Sequence, residues 1–180
     1  MFDDENGKAR AAETIRFTLD GQEVEAQPSE TIWQVAQRYG TEIPHLCYAH
    51  KPGYRPDGNC RACMVEIEGE RVLAAACIRK PTQDMKVITD NQRAKHARNM
   101  VMELLVADQP QRKVAHDPNS HLWQWADRMG VNDSRFPGRE LPAADPSHTA
   151  MRVQLDACIH CNLCVRACRE VQVNDVIGMA

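Results

Sequence analysis

The 180-residue sequence has almost no surplus of charge: 22 Lys and Arg against 25 Asp and Glu leave a formal −3. Its basic residues are scattered rather than banked on one stretch, so nucleic acid is not expected as a partner. It has no long apolar run either. The longest, residues 72–78, contains three alanines and falls far short of the roughly 20 residues that a membrane-spanning helix needs. The opening MFDDENGKAR is charged where a signal peptide would need an apolar stretch, so export is not signalled and a soluble, cytoplasmic protein is expected. Aromatic residues make up only 5 % of the chain. That leaves small cores, in one or two small domains, of the kind that benefit from a metal staple.

What the chain does have is eight cysteines in two tight sets, with none between residues 78 and 157. Cys47, Cys60, Cys63 and Cys77 read C-x12-C-x2-C-x13-C, and Cys158, Cys161, Cys164 and Cys168 read C-x2-C-x2-C-x3-C. In a reducing compartment such groups mean metal or redox centres rather than disulfides. A structural zinc site usually presents two C-x2-C knuckles; the first set has one knuckle and two widely separated cysteines, and the second crowds three ligands into seven residues. A thioredoxin-type dithiol at Cys60-Arg61-Ala62-Cys63 would need a helix start and a βαβ context that the surrounding residues do not offer. Iron–sulfur clusters fit both sets best, with structural zinc as the weaker alternative.

Around the cysteines the pattern predicts a mixed α+β fold. Residues 1–12 lack periodicity and read as a mobile tail. Residues 14–19 and 22–26 alternate apolar and polar about Asp20-Gly21, which predicts a hairpin with a type I′ turn. Ser29 is placed to cap a helix that turns Ile32, Trp33, Val35 and Ala36 inward, with Gly40 as its stop. Residues 64–67 and 71–74 read as strands about Glu68-Gly69-Glu70, and residues 85–88 as a last strand. Cys47, Cys60 and Cys63 then lie on a long loop in which Gly53 and Gly58 permit tight curling, so that backbone N–H groups can face bound sulfide.

His45-Leu46-Cys47, Gly58-Asn59-Cys60-Arg61-Ala62-Cys63-Met64-Val65 and Cys77 together resemble the N-terminal 2Fe-2S domain of the large subunits of respiratory NADH dehydrogenase, iron hydrogenases and NAD-dependent formate dehydrogenases. The resemblance implies a β-grasp, plant-type ferredoxin domain over residues 13–91. The second set matches the bacterial ferredoxin run, in which three cysteines hold one 4Fe-4S cluster and the fourth a second cluster. Residues 153–180 then read as the first half of a bacterial-type ferredoxin module. No partner run follows in the twelve residues after Cys168, so continuation into a longer polypeptide is expected. Failing that, Cys168 would complete the same cluster.

From Leu155 to Gly178 the wording resembles the α subunit of molybdenum- or tungsten-dependent, NAD-linked formate dehydrogenases. The resemblance implies one 2Fe-2S and one 4Fe-4S cluster here, a bis-pterin metal site elsewhere, and a flavin- and NAD-binding β subunit as partner. No catalytic residue is assigned within these 180. Many relatives carry a further His/Cys3 cluster in the middle segment; here residues 91–150 hold only His96, His116, His121 and His148, so that cluster is expected to be lost. Residues 92–152 read as a helical and irregular linker: a helix over 92–107 with Ala94, Ala97, Met100, Val101, Leu104 and Leu105 apolar, then a second helix opened by Asp117-Pro118 and closed by Gly130. Residues 131–146 read as an irregular strap. Trp123 and Trp125 are assigned to packing, and His45 and His160 to the surroundings of the clusters rather than to ligation. A stand-alone ferredoxin-like adapter is the competing class.

Overall fold

The computed structural model describes residues 14–178, so the expected tail, residues 1–12, lies outside the described residues. β1 (Ile15–Leu19) and β2 (Gln22–Ala26) form the expected hairpin, with Phe17 opposite Val24. Asp20 and Gly21 stand at φ 49° and 83°, the two positive values that a type I′ turn demands. β3 (Met64–Ile67), β4 (Ala74–Ala75) and β5 (Lys86–Ile88) complete a sheet of order β2-β1-β5-β3-β4, in which only β1 and β5 run parallel. The strand expected over residues 71–74 is reduced to its last residue. The Arg71 carbonyl accepts the Arg93 guanidinium instead of pairing in the sheet, and the Glu70 N–H closes a turn onto Ile67.

α1 (Ile32–Arg38) crosses this sheet and buries Ile32, Trp33, Val35 and Ala36, as their spacing predicts. Its cap is Thr31, not Ser29. Thr31 Oγ1 accepts the Gln34 N–H and Gln34 Oε1 accepts the Thr31 N–H at 2.9 Å, a reciprocal capping box that satisfies two otherwise orphaned donors. Gly40, at φ 79°, stops the helix as expected. The core between helix and sheet contains Phe17, Val24, Val65 and Val87 and also two of the cysteines, Cys63 and Cys77.

α2 (Gln92–Ala107) begins on an Asn91 cap and buries Ala94, Arg98, Met102 and Val106. The stripe follows i, i+4 spacing but passes through Arg98 rather than Leu104, which is exposed. Arg98 can be buried because its guanidinium donates to the Thr89 carbonyl at 2.7 Å, while Thr89 is itself held by Asp20. α3 (His121–Met129) starts later than expected: Asp117 is used in a turn, accepting the Asn119 N–H, and Ser120 precedes the helix. Trp123 and Trp125 are buried on it. Within and beyond the strap an unexpected exposed hairpin forms, β6 (Asp145–His148) with β7 (Met151–Val153). α4 (Leu163–Arg166) follows and runs into a π-helical turn, Ala167–Val171. No helix of the described residues is long and apolar enough to cross a membrane.

The strap is pinned along α2: the Arg135 N–H and guanidinium meet Glu103 at 3.1 and 3.2 Å, and a second contact lies at the helix end. A Cβ on Gly138 would stand 2.5 Å from the Ala107 carbonyl oxygen, and the Arg139 N–H donates to Asp108. Gly138→Ala is therefore expected to lower stability by about 1–3 kcal/mol through a backbone clash. Thermal melting checks this; an unchanged midpoint would mean that the strap is not seated on α2.

Candidate metal centres

Each cysteine of the first quartet is delivered by a different local device. Cys47 follows an extended segment tied to α1 by the Trp33 indole, which donates to the Ile43 carbonyl at 3.0 Å. Cys60 and Cys63 flank Arg61, whose φ of 57° turns the backbone back on itself. Cys77 sits in a turn whose Ala76 N–H binds the Cys63 carbonyl and whose Ala76 carbonyl accepts the Trp33 N–H, both at 3.0 Å. Gly58 completes the enclosure. At φ 69° it lies so close to Ile78 that a Cβ there would be 3.0 Å from the Ile78 side chain, which brings the long loop back beside Cys77.

The structure brings these four sulfurs together, and all are free thiols at 9 % exposure or less. Cys47 is hydrogen-bonded to the Cys60 and Cys77 thiols, and Cys63 to the Cys77 thiol. Backbone groups of Asn59 and Cys60 bond the Cys47 sulfur, and that of Ala62 bonds Cys60. The Cys60 and Cys77 thiols, and then those amides, pull Cys47 well below the usual thiol range against the effect of burial. The Cys77 thiol likewise lowers Cys63. Cys60 is pushed up by its bond to Cys47 and by burial, and Cys77 by its bonds to Cys47 and Cys63 and then by burial. The opposite directions arise because the four thiols bond one another, with backbone groups as smaller contributions on the Cys47 and Cys60 sulfurs. Among the described residues no three His, Cys, Asp or Glu side chains converge to suit a single metal ion.

The second quartet is more open. Cys158 and Cys161 are half-buried, Cys164 is exposed and Cys168 is buried. His160 and Asn162, at φ 53° and 66°, wind the loop around Cys161, whose sulfur is bonded to the Leu163 backbone. Cys164 and Cys168 lie a helical turn apart across α4 and the π-helical turn. Past that turn the chain doubles back through Val173 at φ 57°, and the Val176 N–H donates to the Cys168 sulfur at 3.4 Å. Arg139 anchors the loop from the strap, donating to the carbonyls of Leu155, Asp156 and Cys158.

The two quartets adjoin. Leu46, Cys47, Cys60 and Ala62 form a second core with Met102, Val106, Leu122 and Trp123, and Ile159 and Cys161 pack against it. Burial raises the Cys161 thiol first, and the neighbouring cysteines, Cys47 included, add to the rise. α2 and α3 are therefore the packing that presses one cysteine loop against the other.

The histidines fall elsewhere. The His45 ring packs edge-on against Trp33 at 4.5 Å and His121 at 4.9 Å, and burial holds it below its ordinary value. His121 accepts the Trp125 indole N–H, His116 faces Asp156, and His148 accepts the Ala150 N–H. His96 and His160 are exposed.

Residues 12–92 match a family model described as "2Fe-2S iron-sulfur cluster binding domain". That stretch is a 2Fe-2S cluster binding domain. Its only cysteines are the four of the first quartet. The likeness runs through that domain and past it: the chain is 32 % identical over 171 residues to the HndD subunit of an NADP-reducing hydrogenase from Solidesulfovibrio fructosivorans, covering 91 % of this chain and 29 % of that protein. It is also 32 % identical over 168 residues to a subunit of the NADH-quinone oxidoreductase of Rickettsia bellii, covering 92 % of this chain and 24 % of that one. The chain thus spans between a quarter and three-tenths of the length of these curated relatives. A solved chain from an NAD+-reducing NiFe-hydrogenase, in the H2-reduced state, superposes with a TM-score of 0.77 at 28 % identity, over 92 % of this chain and 71 % of that one. The superposition therefore reaches well past the 2Fe-2S domain.

Four functional features were missed in the sequence: the Arg139 anchor, the Val173 turn behind Cys168, and the charged side chains of Asp57 and Arg166 between the quartets. Only the i, i+4 pair Arg166 and Glu170 leaves a readable trace.

Proposed function

We propose that these residues are an electron-transfer segment, with Cys47, Cys60, Cys63 and Cys77 holding a 2Fe-2S cluster and Cys158, Cys161 and Cys164 holding a 4Fe-4S cluster. Cys168 completes that cluster or serves a second one. The observation that carries the reading is the first quartet: four buried thiols drawn together with backbone donors aimed at the sulfurs. A bound cluster supplies the one-electron chemistry. The chain supplies ligation, exclusion of water and hydrogen bonds to sulfur, which set the potential.

The relatives' names support an NAD(P)-linked oxidoreductase as the whole enzyme, with a flavin- and NAD-binding subunit as the partner that exchanges electrons with this segment. The finer assignment is the α subunit of a molybdenum- or tungsten-dependent formate dehydrogenase. It is supported by the wording of residues 155–178 and by the cysteine-free middle segment. Formate would then be oxidised at a bis-pterin site outside these residues. In this reading residues 13–91 and 153–180 are the two cluster modules, residues 92–152 are the packing that joins them, and the enzyme is cytoplasmic.

Iron and acid-labile sulfide, counted on anaerobically purified protein, are expected to match both clusters. The reduced protein should give a 2Fe-2S paramagnetic signal that disappears in Cys60→Ser. Stoichiometric zinc without iron, or a signal that survives the substitution, would overturn the ligand assignment.

A further inference from the structure

The long loop between Cys47 and Cys60 does more than return the chain to the first quartet. Its tip, residues 53–57, lies on the helical turns that carry Cys164 and Cys168. A Cβ on Gly53 would stand 3.1 Å from Val171 Cγ2, a close approach that only glycine permits. Beside that contact four charges of alternating sign join the two elements. Arg55 of the loop faces Glu170 at 3.6 Å. Glu170 chelates Arg166 through both carboxylate oxygens, at 3.2 and 2.9 Å. Arg166 then reaches back to Asp57 of the loop at 3.5 Å and lies over the Tyr54 ring at 5.8 Å.

Arg166 is the centre of this arrangement. Its side chain is 3 % exposed, a costly place for a cation unless its partners are fixed. Its Nη1 has no hydrogen-bond partner among the described residues, while Nε and Nη2 hold the two carboxylates. Each element contributes one cation and one anion, so neither can shift without leaving a buried or half-buried charge unpaired. A surface ion pair would do little; a run of four charges through a buried guanidinium, met by the loop at both ends, resists separation of the two elements.

We propose that Arg55, Asp57, Arg166 and Glu170 form a clasp that fixes the separation of the two cysteine quartets, with Arg166 as the positioning residue for electron transfer between them. The proposal rests on both quartets carrying clusters. It gives the twelve-residue gap a purpose: a shorter loop would close the first quartet but could not reach the second. Electron transfer falls steeply with distance, so a contact that holds the two quartets at one separation also holds the rate between them.

The test uses the full-length protein, wild type beside Arg166→Met, Arg166→Lys and Asp57→Asn, with iron counted first. In Arg166→Met, amide exchange across residues 48–59 is expected to rise by on the order of tenfold or more. The magnetic interaction between the two reduced clusters should weaken, and electron transfer between them should slow. Asp57→Asn, which leaves the second-quartet helix untouched, should move the same readouts in the same sense. Arg166→Lys should restore part of the exchange protection, since it keeps the charge and loses the fork. Unchanged exchange and unchanged magnetic interaction in both Arg166→Met and Asp57→Asn, at full iron content, would overturn the clasp. A wild-type protein without iron at the second quartet would instead overturn the two-cluster reading on which the proposal stands, and the exchange measurement would still decide whether the clasp holds the loop.

Discussion

Stripping iron from the protein with a strong chelator is expected to lower its melting temperature by roughly 15 °C or more, equivalent to about 3 kcal/mol for a domain of this size. The reason lies in where the sulfurs sit. Cys63 and Cys77 belong to the main core beside Val65 and Val87, and Cys47 and Cys60 belong to the second core beneath α2 and α3. Removing a bound cluster leaves four buried thiols around an emptied centre, and removes bonds that tie the long loop to the turn after β4. Binding free energy in such a site is folding free energy. Cys77→Ala should reproduce the loss without a chelator, because it deletes a proposed ligand that is 1 % exposed. Cys164→Ser, at an exposed position of the second quartet, should leave that transition nearly in place. Calorimetry on loaded and stripped protein decides the matter. Coincident melting would show that the sheet and α1 are stable without the staple.

How much of this was legible in the sequence depends on the range over which each feature is determined. The β1–β2 hairpin was readable because strict alternation and Asp20-Gly21 lie within a dozen residues and both specify the same turn. The two quartets were readable for the same reason: spacing is a local property. The cap of α1 was misplaced by two residues because Ser29 and Thr31 are equally good cap types, and only the reach of Gln34 back to Thr31 separates them. On α2, apolarity alone selected Leu104 and passed over Arg98. The charge of Arg98 is tolerated only because Thr89 and Asp20 meet it after folding. The β6–β7 hairpin left no trace, since Asp145, Pro146, Ser147 and His148 are polar, include a proline and are all exposed. That the quartets adjoin was the least legible fact. It depends on α2 and α3 packing behind Leu46 and Ala62, and on Asp57 meeting Arg166 across most of the chain.

Trp33→Ala should have the largest effect of any single substitution outside the cysteines, about 3–5 kcal/mol of lost stability, accompanied by much faster loss of iron. Trp33 is 4 % exposed in the main core, yet its volume is only part of its role. Its indole N–H fixes the Ile43 carbonyl at 3.0 Å, four residues before Cys47, and its backbone N–H fixes the Ala76 carbonyl at 3.0 Å, one residue before Cys77. Its ring also makes edge contacts with His45 and Tyr48 on either side of Cys47. One residue of α1 therefore holds two ligand-bearing segments that are far apart in sequence, and truncating it frees the first of them while opening a cavity beneath both. Trp33→Phe separates the contributions. It keeps most of the apolar volume but leaves the Ile43 carbonyl with only the longer contact from His45 Nδ1 at 3.4 Å, so a smaller loss of about 1–3 kcal/mol is expected. Iron release to a chelator, followed by absorbance, should then rank the proteins wild type, Trp33→Phe, Trp33→Ala from slowest to fastest. Equal release from all three would mean that the Cys47 segment is held by the sulfurs alone, and that α1 supports the sheet without positioning the metal centre.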